Sequence, residues 1–239
     1  MAIPLTKIVA TLGPASGSKA AIKSLVAKGV NVFRLNLSHG THEIVRKWIH
    51  WIREVEEEHH SFVGILLDLQ GPKIRVGKFK EGSIHVKRGQ RLTFTTEKKI
   101  GDETLVPVQY PRFHEEVTKG GKIFLDDGKL SGVVRQVSGQ RAEVEILTGG
   151  ILSDHKGINL PDSKITADPI TSKDKADLKF GVQEGVDMVA LSFTGCAKDV
   201  RRLKSLIKKY GSPEIEVIAK IERKQAVDNL EEIVEEADG

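Results

Sequence analysis

Five short apolar runs, each followed by a stretch of helical period, restrict the folds open to this chain more than any other feature. The runs are KIVATLG (7–13), VNVFRLNLSHG (30–40), FVGILLDLQG (62–71), VDMVALSF (186–193) and EIEVIAKIE (214–222). Nearly continuous apolar strands separated by helices suit a parallel sheet covered by those helices. SGSKAAIKSLVAKG predicts a capped helix closing at Gly29, and HEIVRKWIHWIREVEEEHH predicts a long one in which Trp48 and Trp51 pack in the core. SKDKADLKFGVQEG, AKDVRRLKSLIKKYG and AVDNLEEIVEEA supply three more helices, making five βα units. Periodicity alone leaves a doubly wound sheet and an eight-unit barrel both open.

The rhythm breaks once, after the third strand. From about Val76 to about Gly157 the chain turns to short alternating runs with Gly turns, such as SIHVKRGQRLTFTT and GKIFLDDGKLSGVVRQVSGQRAEVEILTGG. That pattern predicts a small antiparallel β domain inserted into the α/β chain. The expected division is residues 1–75 with 158–239 in the α/β part, and 76–157 in the insert.

Composition narrows the partners. The net charge of +4 over 239 residues comes from interspersed signs without a Lys/Arg block, which argues against nucleic acid. Cys196 is the only cysteine, so no intrachain disulfide is possible and a reducing, cytoplasmic setting is expected. In FTGCAKD it has no nearby histidine, which argues against a nucleophile. No run approaches the ~18 apolar residues of a membrane span, and the opening MAIPLTKIVA lacks a leader pattern.

In parallel α/β sheets, ligands gather at the carboxyl ends of the strands. In the second strand Arg34, Asn36 and Ser38 share one face and Phe33, Leu35 and Leu37 the other. The third ends at Asp68, with Lys73 and Arg75 just beyond Gly71-Pro72, and the fourth ends at Ser192. The fifth ends at Lys220 and Glu222, on the face of Ile218 if the strand continues. An exposed polar edge, a turn-capping Asp68 and a structural Lys220–Glu222 ion pair would account for these residues without a ligand. Cations beside carboxylates also suit a phosphorylated substrate held with Mg²⁺ or Mn²⁺. No His/Cys cluster has zinc spacing, and no Gly-x-Gly-x-x-Gly or Walker loop is present.

KIVATLGPAS, NVFRLNLSHG, LLDLQGPKIRVG, LDDGKL, KGINLPD, SKDKADLKFGVQEGVDMVALSF and VIAKIE, in this order, resemble the amino-terminal part of the pyruvate kinase family. The resemblance covers essentially the whole chain. It implies a partial TIM (β/α) barrel of five βα units, with a small antiparallel β-barrel domain inserted after the third strand as a mobile cap. It also implies phosphoryl transfer from phosphoenolpyruvate to ADP, giving pyruvate and ATP, with Mg²⁺ or Mn²⁺.

By the same resemblance Lys220 stabilises the transferring phosphoryl group and the developing enolate, Glu222 binds the divalent metal, and Arg34 binds the phosphate of phosphoenolpyruvate. Pro14, His39, Arg75 and Lys156 would lie along the nucleotide path, and Asp127 would approach the nucleotide when the cap closes and excludes water. Asn36, Ser38 and Asp68 match the family's potassium site. Here, however, Leu69-Gln70 follow Asp68 where potassium-requiring members have Thr-Lys, and Lys73 stands where they carry Glu. A lysine ammonium is a compact unit charge and could take the monovalent position, so independence of potassium is expected. Thr194-Gly195 departs from the usual aliphatic-Arg pair.

EEADG precedes the point where the family places its Gly-Asp-Leu-Gly motif. Five units do not close an eight-unit barrel, so a homo-oligomer or association with a chain supplying the rest is expected. The alternative is an incomplete fragment or split half that binds a phosphometabolite or a protein. A metal-dependent aldolase on the same barrel would leave LDDGKL and KGINLPD unexplained.

Overall fold

A computed structural model describes residues 6–38 and 40–239. The chain begins with β1 (Ile8–Thr11) and α1 (Lys19–Ala27), whose first turn is capped by the Ser18 hydroxyl accepting from the Ala21 N–H. Gly29, at φ 93°, turns the chain into β2 (Val30–Asn36). Thr41 caps α2 (His42–His59), which stops at left-handed His60, and β3 (Gly64–Asp68) follows. Next come β4 (Ser83–Val86), β5 (Arg91–Thr95), β6 (Leu105–Pro107), the single turn α3 (Phe113–Glu116) and β7 (Lys122–Leu125). The long hairpin β8 (Leu130–Ser138) and β9 (Arg141–Thr148) leads to β10 (Gly150–Ser153) and β11 (Ile158–Asn159). The α/β alternation then resumes with α4 (Ser172–Gln183), β12 (Met188–Leu191), α5 (Ala197–Tyr210), β13 (Glu216–Ala219), α6 (Lys224–Asp228) and α7 (Leu230–Glu236).

Two compact units result, one running through Pro72 and resuming over Asp168–Gly239, the other Lys73–Ala167. The first is an α/β unit with a five-stranded parallel sheet ordered β1-β2-β3-β12-β13. Phe33, Leu35, Leu37, Ile65, Leu67, Leu69, Val189, Leu191 and Val217 join Ile22, Val45, Ile52, Leu178, Val200 and Leu203 from the helices in one core. Trp48 is buried there with its Nε1–H on the Gly17 carbonyl at 3.1 Å, and Trp51 packs against the same core. The final helical pattern is interrupted at Asn229, which separates α6 from α7.

The second unit has its own core, built around Phe94, Phe113, Ile123, Val144 and Ile146. Its six-stranded sheet runs β11-β7-β8-β9-β5-β6, beside a two-stranded β10–β4 ribbon. The antiparallel expectation needs one correction, since β5 and β6 pair in parallel. The unit also reaches beyond residues 76–157. β11 pairs with β7, and Leu160 and Ile165 are buried in this core, so the segment up to Ala167 belongs here.

Candidate active site

Register places the polar groups on the face of the parallel sheet opposite the helical core. Asp68 lies across from Asn36 of β2 on one side and Ala190 of β12 on the other, and Ala190 in turn faces Ile218 of β13. Ser192 follows directly on β12 and Lys220 directly on β13, where the Lys220 N–H still bonds the Leu191 carbonyl, and both side chains turn toward Asp68.

Their side chains meet there. Asp68 is only 3% exposed, and its Oδ2 accepts from Arg34 Nε at 2.8 Å and again from Nη2. Its Oδ1 accepts from Lys220 Nζ at 3.2 Å and from the Ser192 hydroxyl at 3.4 Å, while Lys220 Nζ also reaches Ser192 Oγ at 2.8 Å. Arg34 is steadied by Thr11 at the end of β1, with Nη1 to Oγ1 at 3.0 Å. A carboxylate this deeply buried requires partners, and it has two cations and a hydroxyl.

Glu222 balances the remaining charge, but not as a continuation of the strand face. β13 stops at Ala219, so the alternation expected to carry from Ile218 to Glu222 ends before it arrives. Glu222 folds back instead, with Oε1 on Lys220 Nζ at 3.1 Å and Oε2 accepting the Phe193 N–H at 2.9 Å. Phe193 takes a left-handed φ of 57°, uncommon for a bulky residue, and this aims its amide at that carboxylate. The Arg223 guanidinium lies over the Phe193 ring, 4.9 Å from its centre. Arg34 and Lys220 against Asp68 and Glu222 make a four-charge cluster with no net charge.

The other expected residues divide between the units. Asn36 and Ser38 stay in the first, half-buried at the end of β2, where Asn36 Oδ1 accepts the Ser38 N–H at 2.9 Å. Pro14 is exposed in the turn after β1, and His39 lies outside the described residues. Lys73, Arg75, Asp127 and Lys156 belong to the second unit. Arg75 donates to the His155 carbonyl at 2.7 Å. Asp126 and Asp127 both have left-handed φ, 48° and 55°. The carboxylate that holds Lys156 is Asp126, at 2.8 Å, and Asp127 beside it is exposed. The ammonium groups of Lys156 and then Lys129 keep the Asp126 carboxyl below the usual carboxylate range.

Sequence reading alone passed over Thr11, Phe193 and Asp126, and assigned no role to Ser192. Ser192 could have been reached by counting along the strand face. Thr11 and Phe193 had no signal, because their roles depend on sheet register and on a local left-handed turn.

No cluster of three or more His, Cys, Asp or Glu that could hold a metal occurs among the described residues. Mg²⁺ does not require one, since it commonly takes one or two carboxylates and fills its shell with water and phosphate oxygens. Glu222, about a third exposed, has Oε2 on a backbone amide and Oε1 on the Lys220 ammonium, so a metal bound there would take Oε1 alongside or in place of that ion pair. No helix among the described residues is long and apolar enough to cross a membrane.

The family model described as the pyruvate kinase barrel domain matches residues 3–239. Among curated proteins, a pyruvate kinase of Thermococcus litoralis is 43% identical over 98% of this chain and 49% of its own length. One from Geobacillus stearothermophilus is 41% identical, with 98% of this chain and 40% of the relative covered. A third, from Clostridium perfringens, is 38% identical over 98% of this chain and 50% of its own length. The chain thus spans about half the length of the curated relatives it matches. With that coverage, this chain belongs to the pyruvate kinase barrel-domain family.

Proposed function

We propose that this chain carries the phosphoenolpyruvate and metal half of a pyruvate kinase site, transferring the phosphoryl group of phosphoenolpyruvate to ADP. The observation that carries this reading is the buried Asp68 carboxylate holding both Arg34 and Lys220 at the carboxyl ends of neighbouring parallel strands. Phosphoryl transfer depends mainly on positioning and charge neutralisation, and this cluster supplies both. Arg34, fixed on two sides, offers a planar donor fork to a phosphate. Lys220 sits where a phosphoryl group and an enolate oxygen would develop negative charge, and Ser192 and Asp68 fix its position.

Glu222 would hold the divalent metal, Mg²⁺ or Mn²⁺, which when bound neutralises phosphoryl oxygens. Asn36, Ser38 and Asp68 match the family's monovalent-ion positions, and Lys73 stands where potassium-requiring members carry Glu, so turnover should not require potassium. Pro14 and His39 in the α/β unit, and Arg75, Lys156 and Asp127 in the inserted, small barrel-like β unit, would be nucleotide contacts. The parallel sheet would form five of the eight strands of a TIM barrel, in a cytoplasmic protein.

Completing such a barrel takes three further βα units, whether from a continuation of the same polypeptide, another copy or a separate half. Exposed Ile8 and Val9 on the edge strand β1, and exposed Val227 and Val234 on α6 and α7, support that. A second reading is phosphometabolite binding without turnover, since the paired cations Arg34 and Lys220 suit a phosphate whether or not transfer follows.

A coupled assay of pyruvate formation from phosphoenolpyruvate, ADP and Mg²⁺ tests the first reading. The expected result is turnover that disappears in Lys220→Ala and is equal with and without potassium. Binding of phosphoenolpyruvate with no turnover above the Lys220→Ala background would select the second reading.

A further inference from the structure

Helix α4 reaches the site without placing a residue in the charge cluster. Lys173 and Asp174, in its first turn, each bond a loop that follows a site strand, and Asp177 in the second turn bonds the first residue of α2. Lys173 Nζ donates to the Leu37 carbonyl at 3.0 Å, immediately after β2. Asp177, 2% exposed, pairs through Oδ1 with His42 Nε2 at 2.8 Å at the start of α2, and its Oδ2 takes the Lys173 ammonium. The two ends of the β2–α2 loop are therefore tied to one ion pair on α4. Asp174, fully buried, accepts the Gly71 N–H at 3.1 Å in the turn after β3, while its other oxygen closes the capping box with Thr171. The His42 ring also lies flat on Phe180 of α4, 4.2 Å between centres and 4° from parallel.

Helix stability explains Asp174, which closes the capping box, but not Lys173 or Asp177. A cation in the first turn opposes the helix dipole, and a basic residue four before an acidic one is the weaker order for an intrahelical pair. Burying Asp177 and Asp174 gains nothing over apolar side chains unless the bonds they make are needed. The bonds of Lys173 to Leu37 and of Asp174 to Gly71 end on loops next to Ser38 and Asp68, and Asp177 holds both Lys173 and the His42 ring where the first of those loops enters α2.

We propose that Lys173, Asp174 and Asp177 are positioning residues that hold the turns after β2 and β3 in the shape a phosphorylated ligand requires. This rests on the reading given under Proposed function. Lys173→Met keeps the apolar stem and removes the ammonium. In the full chain, amide exchange at Ser38, Gly40 and Thr41 should quicken about tenfold, as expected for losing a charge-assisted bond. Exchange at Ile65 and Leu67 should stay within about twofold, and the Kd for phosphoenolpyruvate with Mg²⁺ should rise about fivefold or more. Lys173→Arg, whose guanidinium can still reach the carbonyl and Asp177, should restore both, and Asp177→Asn should reproduce the loop effect through His42.

Unchanged loop exchange in both variants overturns the proposal. Equally fast exchange throughout the sheet also overturns it, since α4 would then be a general prop, and so does faster loop exchange with unchanged affinity. A parent chain that binds no phosphoenolpyruvate sinks the functional reading alone, and the exchange measurements then decide whether α4 braces these loops.

Discussion

The two units spend their charges differently. In the α/β unit, Asp68, Asp174, Asp177, Ser192 and Thr194 are buried, and the three carboxylates each meet more than one donor. In the inserted β unit Thr95 is buried, as is the Glu116 carboxylate, which accepts from the Tyr110 and Thr166 hydroxyls, while ion pairs such as Arg91–Glu143, Arg135–Glu145 and Arg141–Glu97 lie on the sheet surface. Exposed pairs contribute roughly 0–1 kcal/mol each and serve mainly solubility and register. A buried carboxylate carries a desolvation penalty, so its presence at the ends of neighbouring strands marks where the molecule accepts a cost in stability for charge in a fixed place.

Matched substitutions at the two centres should break or sharpen that contrast. Asp68→Ala leaves Arg34 and Lys220 facing each other without their carboxylate and should destabilise the α/β unit by about 3–5 kcal/mol. Both tryptophans, Trp48 and Trp51, lie on α2, so urea unfolding followed by tryptophan fluorescence reads this unit alone. An unchanged midpoint would mean that the cluster is no more than neutral to the fold. Phe94→Ala, at a fully buried ring stacked 6.0 Å from Phe113, should cost about 3–5 kcal/mol through cavity formation in the β unit. It should lower the circular-dichroism transition and leave the tryptophan transition in place; a common shift would show that the two cores melt together.

Asp174→Ala is expected to cost less, about 1–3 kcal/mol, because it removes a capping box and strands the buried Gly71 N–H. Tryptophan-detected unfolding measures this too, and a loss below about 0.5 kcal/mol would show that the turn after β3 is held by other contacts.

The smallest effect belongs to the surface. Arg141, then Lys99, hold the Glu97 carboxyl down at about 2, against an ordinary value of 4.5. A depressed acid contributes stability above its unfolded value that is lost as pH falls through the folded one, so this contribution should fade between pH 4.5 and about 2. Thermal melts of the parent and Glu97→Gln should differ slightly near pH 6 and converge near pH 2. A constant difference would assign the effect to something other than Glu97 ionisation.

Much of the fold was legible because strand and helix rules act between near neighbours in the chain. Alternation in NVFRLNLS predicts that Phe33, Leu35 and Leu37 are buried while Arg34 and Asn36 face away, as observed. Ser18, Thr41 and Thr171 stand where helices begin, and Gly29 and Gly211 where they end. The parallel sheet and the inserted β unit follow from the change of period after Asp68. Less legible were the last strand, which stops before Lys220, and the insert's far end, where Leu160 and Ile165 join a core that no local pattern announces.

The candidate site divides the same way. Residue types at strand ends can be read directly, because a polar group closing an apolar run is a local signal. What the sequence by itself determined was therefore the list of charged groups and, for those inside a strand such as Arg34, the sheet face each occupies. Which carboxylate meets which partner was decided only by the tertiary structure: Asp68 takes Arg34 from 34 residues away and Lys220 from 152, and Asp177 takes the His42 ring from 135. Those pairings depend on sheet register and on how α4 lies over the strand ends, and both are set by packing of the whole core.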